Sequence, residues 1–130
     1  MISHRRYGRE FEAGIREFNQ HKFFQCHETL EHLWKRQGNP EKEFTQGLIQ
    51  IAVAYHHLLN HNLVGARKLL TRGLNRISPY QPTFSGVNVK ALVEAVTESL
   101  ADVAHLESKV QLDMLDIKIA KIQLLPPPRE

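Results

Sequence analysis

The stretch Gln46-Gly47-Leu48-Ile49-Gln50-Ile51-Ala52-Val53-Ala54-Tyr55-His56-His57 decides the fold. From Leu48 to Tyr55 it is apolar on nearly every side of a helix, and such a helix is one that neighbours cover all round. Its beginning is legible upstream. Asn39 suits an N-cap, Pro40 suits the first helical position, where a missing N–H costs nothing, and Glu41 and Glu43 favour the positive end of the helix dipole. The spacing predicts a helix from there to about Asn60, at the centre of an all-α domain.

Working outward, the chain on both sides divides into further helices. Phe11, Ile15 and Phe18 recur at i, i+4, i+7 in a run from about Arg5 to Asn19, broken by Asn19-Gln20-His21. A second run from near Lys22 to Gln37 offers Phe23, Leu30, Leu33 and Trp34 for burial and stops at Gly38-Asn39-Pro40. Leu69, Leu70, Leu74 and Ile77 mark a fourth helix from Leu63 to Ile77. The segment Pro79 to Asn88 reads as a loop that Tyr80 and Phe84 pin to the core. Asn88 then caps a fifth helix carrying Val89, Leu92, Val93, Val96, Leu100 and Val103. No repeat at a fixed period is evident, although two successive helical hairpins invite the comparison.

The expected architecture is a single compact bundle of about five helices with an apolar, Pro-ended C-terminal tail. Residues 1–108 would form the helical domain. Residues 109–130, read equally as alternating strand or as helix up to Pro126-Pro127-Pro128, would form an extension lying on the bundle or on a partner subunit, so a homo-oligomer is one expectation. A length of 130 residues fits one core. Hydrophobic residues at 42% and charged ones at 24% argue against disorder over the whole length.

Several classes are disfavoured. One cysteine, Cys26, cannot form an intramolecular disulfide, which suits a reducing compartment. The basic N-terminus lacks an apolar signal-peptide core and no stretch is long enough to span a bilayer, so the expectation is a cytoplasmic protein with no membrane contact. The net charge of +3 is spread over mixed signs. The stripe of Arg67, Lys68, Arg72 and Arg76 has no interleaved aromatics for stacking bases, which argues against nucleic acid. Gly-rich phosphate loops and G-x-S-x-G are absent. Cys26 reads as a small buried residue, and His21, His61 and His105 as solvated surface.

One constellation could carry chemistry. On the second helix His27 and Glu31 project from one face at i, i+4, and Trp34 continues that stripe, whereas Glu28 and His32 form a second pair turned toward water. The zinc-protease pattern is not met, because Glu31 stands where its second histidine would be. On the third helix Gln46, Gln50 and His57 lie near one line with His56 adjacent, and buried polar groups of this kind need partners. Setting the third helix against the second would let His27 and Glu31 meet Gln46, Gln50 or His56, with Gly47 allowing close approach; whether His56 or His57 faces the site stays open.

These residues resemble a family. The run Phe24-x-x-His27-x-x-x-Glu31-x-x-Trp34, then Gln46-Gly47-Leu48-Ile49-Gln50 and His56, then Asn62-x-x-Gly65-Ala66-x-x-Leu69, is similar to domain-of-unknown-function family 309, whose hallmark is H-x-x-x-E-x-x-W. The resemblance covers roughly Phe18 to Leu106. It implies a compact helical bundle and brings the label of metal-dependent hydrolase, which rests on the motif.

Three functions compete for the constellation. One divalent metal ion could be held by His27, His56 and Glu31, with Glu31 as a third ligand or as general base. The same residues with Gln50 could instead form a buried hydrogen-bond network that fixes helix register. Finally, a pocket holding His27, Glu31, Trp34 and Gln46, with Gln50 close by, could bind a small polar ligand or a peptide without turning it over.

Overall fold

Residues 8–109 and 117–126 are described by the computed structural model. Among them the chain runs through α1 (Arg9–Asn19), α2 (Phe23–Trp34), α3 (Glu41–Leu59), α4 (Leu63–Ile77), a short 3₁₀ turn (Ser78–Tyr80), β1 (Thr83–Phe84), β2 (Val87–Asn88) and α5 (Val89–Lys109). The all-α bundle expected from the periodicity is what forms. Residues 5–7 of the expected first helix lie outside the described residues.

The apolar α3 is central. Leu48, Ile51, Ala52, Ala54 and Tyr55 are fully buried, covered on one side by α2 and on another by α4. Contact with α4 is close because two glycines face each other. A Cβ on Gly47 would stand 2.6 Å from Ile77 Cγ2, and one on Gly73 only 2.9 Å from the Gly47 carbonyl oxygen. Gly47 therefore serves α4, not the α2 contact expected of it. α3 also starts differently from the expected Asn39 cap. Pro40 holds the cap position, no side chain caps the end, and the Gly38 carbonyl accepts the Lys42 N–H at 2.9 Å. α2 stops at Trp34, short of Gln37, because Arg36 and Gln37 donate three residues back in a tightened last turn.

The two helical hairpins are near copies at their turns. After α1, His21 takes φ 63°, its N–H reaches the Phe18 carbonyl, and the Lys22 N–H reaches the Glu17 carbonyl at 2.8 Å. Forty positions on, His61 takes φ 62°, its N–H reaches Leu58, and the Asn62 N–H reaches His57 at 2.8 Å. Both are Schellman closures, with histidine in the left-handed place that glycine usually fills. Buried residues follow the same offset: Ile15 with Tyr55, Phe18 with Leu58, Cys26 with Ala66, Leu30 with Leu70. A repeat is therefore present that the sequence reading did not find.

The expected loop after α4 contains a two-residue hairpin, Phe84 pairing Val87 across Ser85-Gly86, both of which have positive φ. Tyr80 and Phe84 do pin it: their rings lie 5.4 and 5.0 Å from that of Phe44. Asn88 caps α5 by accepting the Ala91 N–H.

Residues 117–126 form an extended strap across the bundle. Ile117, Ala120 and Ile122 are buried, and Val87 bridges Leu124 beside the hairpin. The strap crosses α5, α3 and α1 in turn. Ser99 donates to the Lys118 carbonyl at 2.6 Å, Tyr55 accepts the Ala120 N–H at 3.3 Å, and the Asn19 amide holds both N–H and C=O of Ile122 at 2.8 and 2.9 Å.

Candidate functional site

The helical period of α2 places the motif residues at the rim of a seam. Phe23, Cys26 and Leu30 form the buried stripe of this helix, and His27, Glu31 and Trp34 sit about 100° round from it, toward α3. The two helices run antiparallel. The Lys42 ammonium lies 4.2 Å from the centre of the Trp34 ring at one end, and Phe24 meets His56 with ring centres 5.9 Å apart at the other.

The seam brings together part of the expected constellation. His27 and His56 line one small pocket of about 140 Å³ with Phe23, Phe24 and Val53. Glu31 Oε1 stands 3.6 Å from His27 Nε2. Gln46, half-buried, falls on the α3 stripe Lys42-Gln46-Val53-His56 that borders α2. It is thus His56, not His57, that faces this site; His57 packs beside Asn62 and Gly65 at the α3–α4 turn.

Gln50 does not join it. Its side chain turns to α4, where Arg76 Nε donates to Gln50 Oε1 at 3.1 Å and the same guanidinium pairs with Glu43. The glycine contact between α3 and α4 commits that flank of α3 to α4. The buried network of His27, Glu31, Gln50 and His56 is accordingly corrected. The His27 and Glu31 side chains are 29% and 48% exposed, so water solvates what burial would have forced into mutual hydrogen bonds.

Among the described residues, no three His, Cys, Asp or Glu side chains are gathered as an ion would need. His27, Glu31 and His56 share the seam without forming such a group.

His32, expected to pair with Glu28 in water, instead reaches Glu10 of α1 at 2.5 Å, and Arg36 pairs with the same carboxylate. Hydrogen bonds from Arg36 first, then from His32, hold the Glu10 carboxyl below its usual range. Cys26 is wholly buried, and burial pushes its thiol up to about 12, so it is no nucleophile at neutral pH. Two cations of the α4 stripe are neutralised, Arg67 by Glu107 and Arg76 by Glu43.

The residue that sequence reasoning undervalued is Phe24. It is 55% exposed, an aromatic ring standing between the imidazoles of His27 and His56. Its i, i+3 spacing from His27 was the available signal.

Comparison with known proteins agrees with the helices that build this seam. Residues 11–69 match the model of a domain of unknown function, DUF309. The matched segment contains most of α1, all of α2 and α3 and the first half of α4, a shorter stretch than the Phe18 to Leu106 of the sequence resemblance. A relative from Bacillus subtilis (strain 168), the uncharacterized protein YpuF, is 38% identical over 53 residues, which cover 40% of this chain and 30% of that protein. The description of the matched family model assigns this segment no reaction. Among the described residues, no helix is long and apolar enough to cross a membrane.

Proposed function

We propose that the chain is a non-catalytic binding module whose recognition face is the α2–α3 seam. The observation that carries this reading is Phe24: a large aromatic ring, more exposed than buried, set beside two imidazoles and an apolar pocket. A ring of that kind offers its negative face to a cation, and Glu31 supplies negative charge beside His27, further along α2. At the other end of the seam the chain makes such a contact with its own residues, Lys42 over Trp34. The fitting occupant is a small ligand or peptide side chain with an aliphatic stem and a positive head.

Trp34 is the sole tryptophan, so its fluorescence reports on the seam directly. Amidated tripeptides with a central lysine, arginine, leucine or glutamate are titrated. The lysine and arginine peptides are expected to saturate, and Phe24→Ser or Glu31→Gln to weaken them by roughly fivefold each, the worth of about 1 kcal/mol of cation–π or charge interaction. Equal responses to all four central residues would refute the reading.

A second reading keeps the metal-dependent hydrolase, because His27 and His56 line one pocket with Glu31 alongside. It requires stoichiometric uptake of zinc or manganese that His27→Ala abolishes, measured on untagged protein.

A further inference from the structure

The strap is held by its backbone as well as by its buried side chains. Three side chains from three helices address its backbone at residues 118, 120 and 122. Ser99 of α5 donates to the Lys118 carbonyl, Tyr55 of α3 accepts the Ala120 N–H, and Asn19 of α1 both donates to and accepts from Ile122. Tyr55 and Ser99 are bonded to each other at 2.8 Å, a bond made between α3 and α5 without any atom of the strap. Side chains alternate along this part of the strap: Ala120 and Ile122 are buried, Leu124 is half-buried, and Lys121 and Gln123 face water. Backbone groups give such a channel its grip, and alternate pockets give it selectivity.

The strap also fits its channel incompletely. A cleft of about 450 Å³ remains between α1 and the strap, lined by Glu12, Arg16 and Gln20 on one side and Ile122 and Leu124 on the other. An occupant with larger side chains at the Ile122 and Leu124 positions would use space that the strap leaves open.

We propose that the channel across α1, α3 and α5 is a receptor for an extended peptide with small or aliphatic residues at alternate positions, and that residues 117–126 are its built-in competitor. The channel lies apart from the α2–α3 seam, and the inference does not rest on the function proposed for that seam. An external peptide sees only the fraction of molecules whose strap is off, so its apparent affinity is lowered by that fraction.

The test uses the full chain and a fluorescent peptide with the sequence of residues 117–126. Ile122→Asp and, independently, Ala120→Glu weaken the strap in cis without altering the channel; circular dichroism checks that each variant keeps its helices. Each is expected to bind the free peptide at least about tenfold more tightly than the wild type. Adding Asn19→Ala to Ile122→Asp removes two backbone hydrogen bonds to the incoming peptide and should weaken it again by about tenfold. A helical Ile122→Asp protein that does not bind the peptide, or binds it regardless of Asn19, overturns the proposal. Should both strap variants unfold, the wild type carries the test. Excess unlabelled peptide should then shift the amide signals of Asn19 and Ser99 and speed hydrogen exchange in the strap, and unchanged signals overturn it.

Discussion

Replacing Tyr55 by phenylalanine tests how the centre of the bundle and the strap hold together. The Tyr55 hydroxyl donates to Ser99 Oγ at 2.8 Å and accepts the Ala120 N–H at 3.3 Å. Burial raises its pKa, so the phenol stays neutral through the working pH range. Phenylalanine keeps the ring packed against Phe18 and Phe23 and deletes only the oxygen. Ser99 keeps its bond to the Lys118 carbonyl, but the Ala120 N–H is left buried without an acceptor. One good hydrogen bond and one stranded donor together come to about 2–3 kcal/mol. Urea denaturation measures the loss, and amide exchange at Ala120 and Ile122 shows whether it appears as global unfolding or as release of the strap alone. Ser99→Ala should cost a similar amount, and the double variant less than the sum, because both act on one chain of bonds. A Tyr55→Phe protein within about 0.5 kcal/mol of wild type, with unchanged exchange at Ala120, would refute the reasoning.

Other expectations follow from single contacts. Gly73→Ala should destabilise by about 1–3 kcal/mol in thermal or urea unfolding, because its Cβ meets the Gly47 carbonyl and α3 backbone that cannot turn aside. The carboxyl of Glu10 is depressed by Arg36 and His32, so its contribution is complete above the ordinary value of 4.5 and is lost as pH falls below it. Comparing pH–stability curves of wild type and Glu10→Gln should show them converging on the acid side. Cys26 should resist thiol reagents at pH 8 in the folded protein and react only on unfolding, which timed labelling with and without urea checks.

Much of the fold could be read from sequence because α1 and α5 carry their burial at helical spacing, α3 is apolar nearly all round, and breaks such as Gly38-Asn39-Pro40 are local signals. The repeat escaped because it is kept by shape. Phe18 and Leu58, or Cys26 and Ala66, fill equivalent places with different residues, and both hairpin turns use histidine where glycine would have drawn notice. In the candidate site, periodicity put His27, Glu31 and Trp34 on one line and His56 near them. It could not say that the line sits at a rim, nor that Gly73, far along the chain, draws Gln50 toward α4. Asn19, Tyr55 and Ser99 gave no sign of their role, since the strap they hold begins many residues later, and a hydrogen bond spanning 103 positions leaves no local pattern.

Rows of stacked hairpins are ordinarily open at both ends, and each end frays with only one neighbour to support it. Here one short peptide runs from α5 over α3 to the last residue of α1, and so fastens the row's final helix to its first. What would have been a line becomes a hoop. A hoop has no terminal unit to peel, so helices that contact mainly their neighbours are made to melt together. Cutting those fastenings should turn one sharp transition into a graded one.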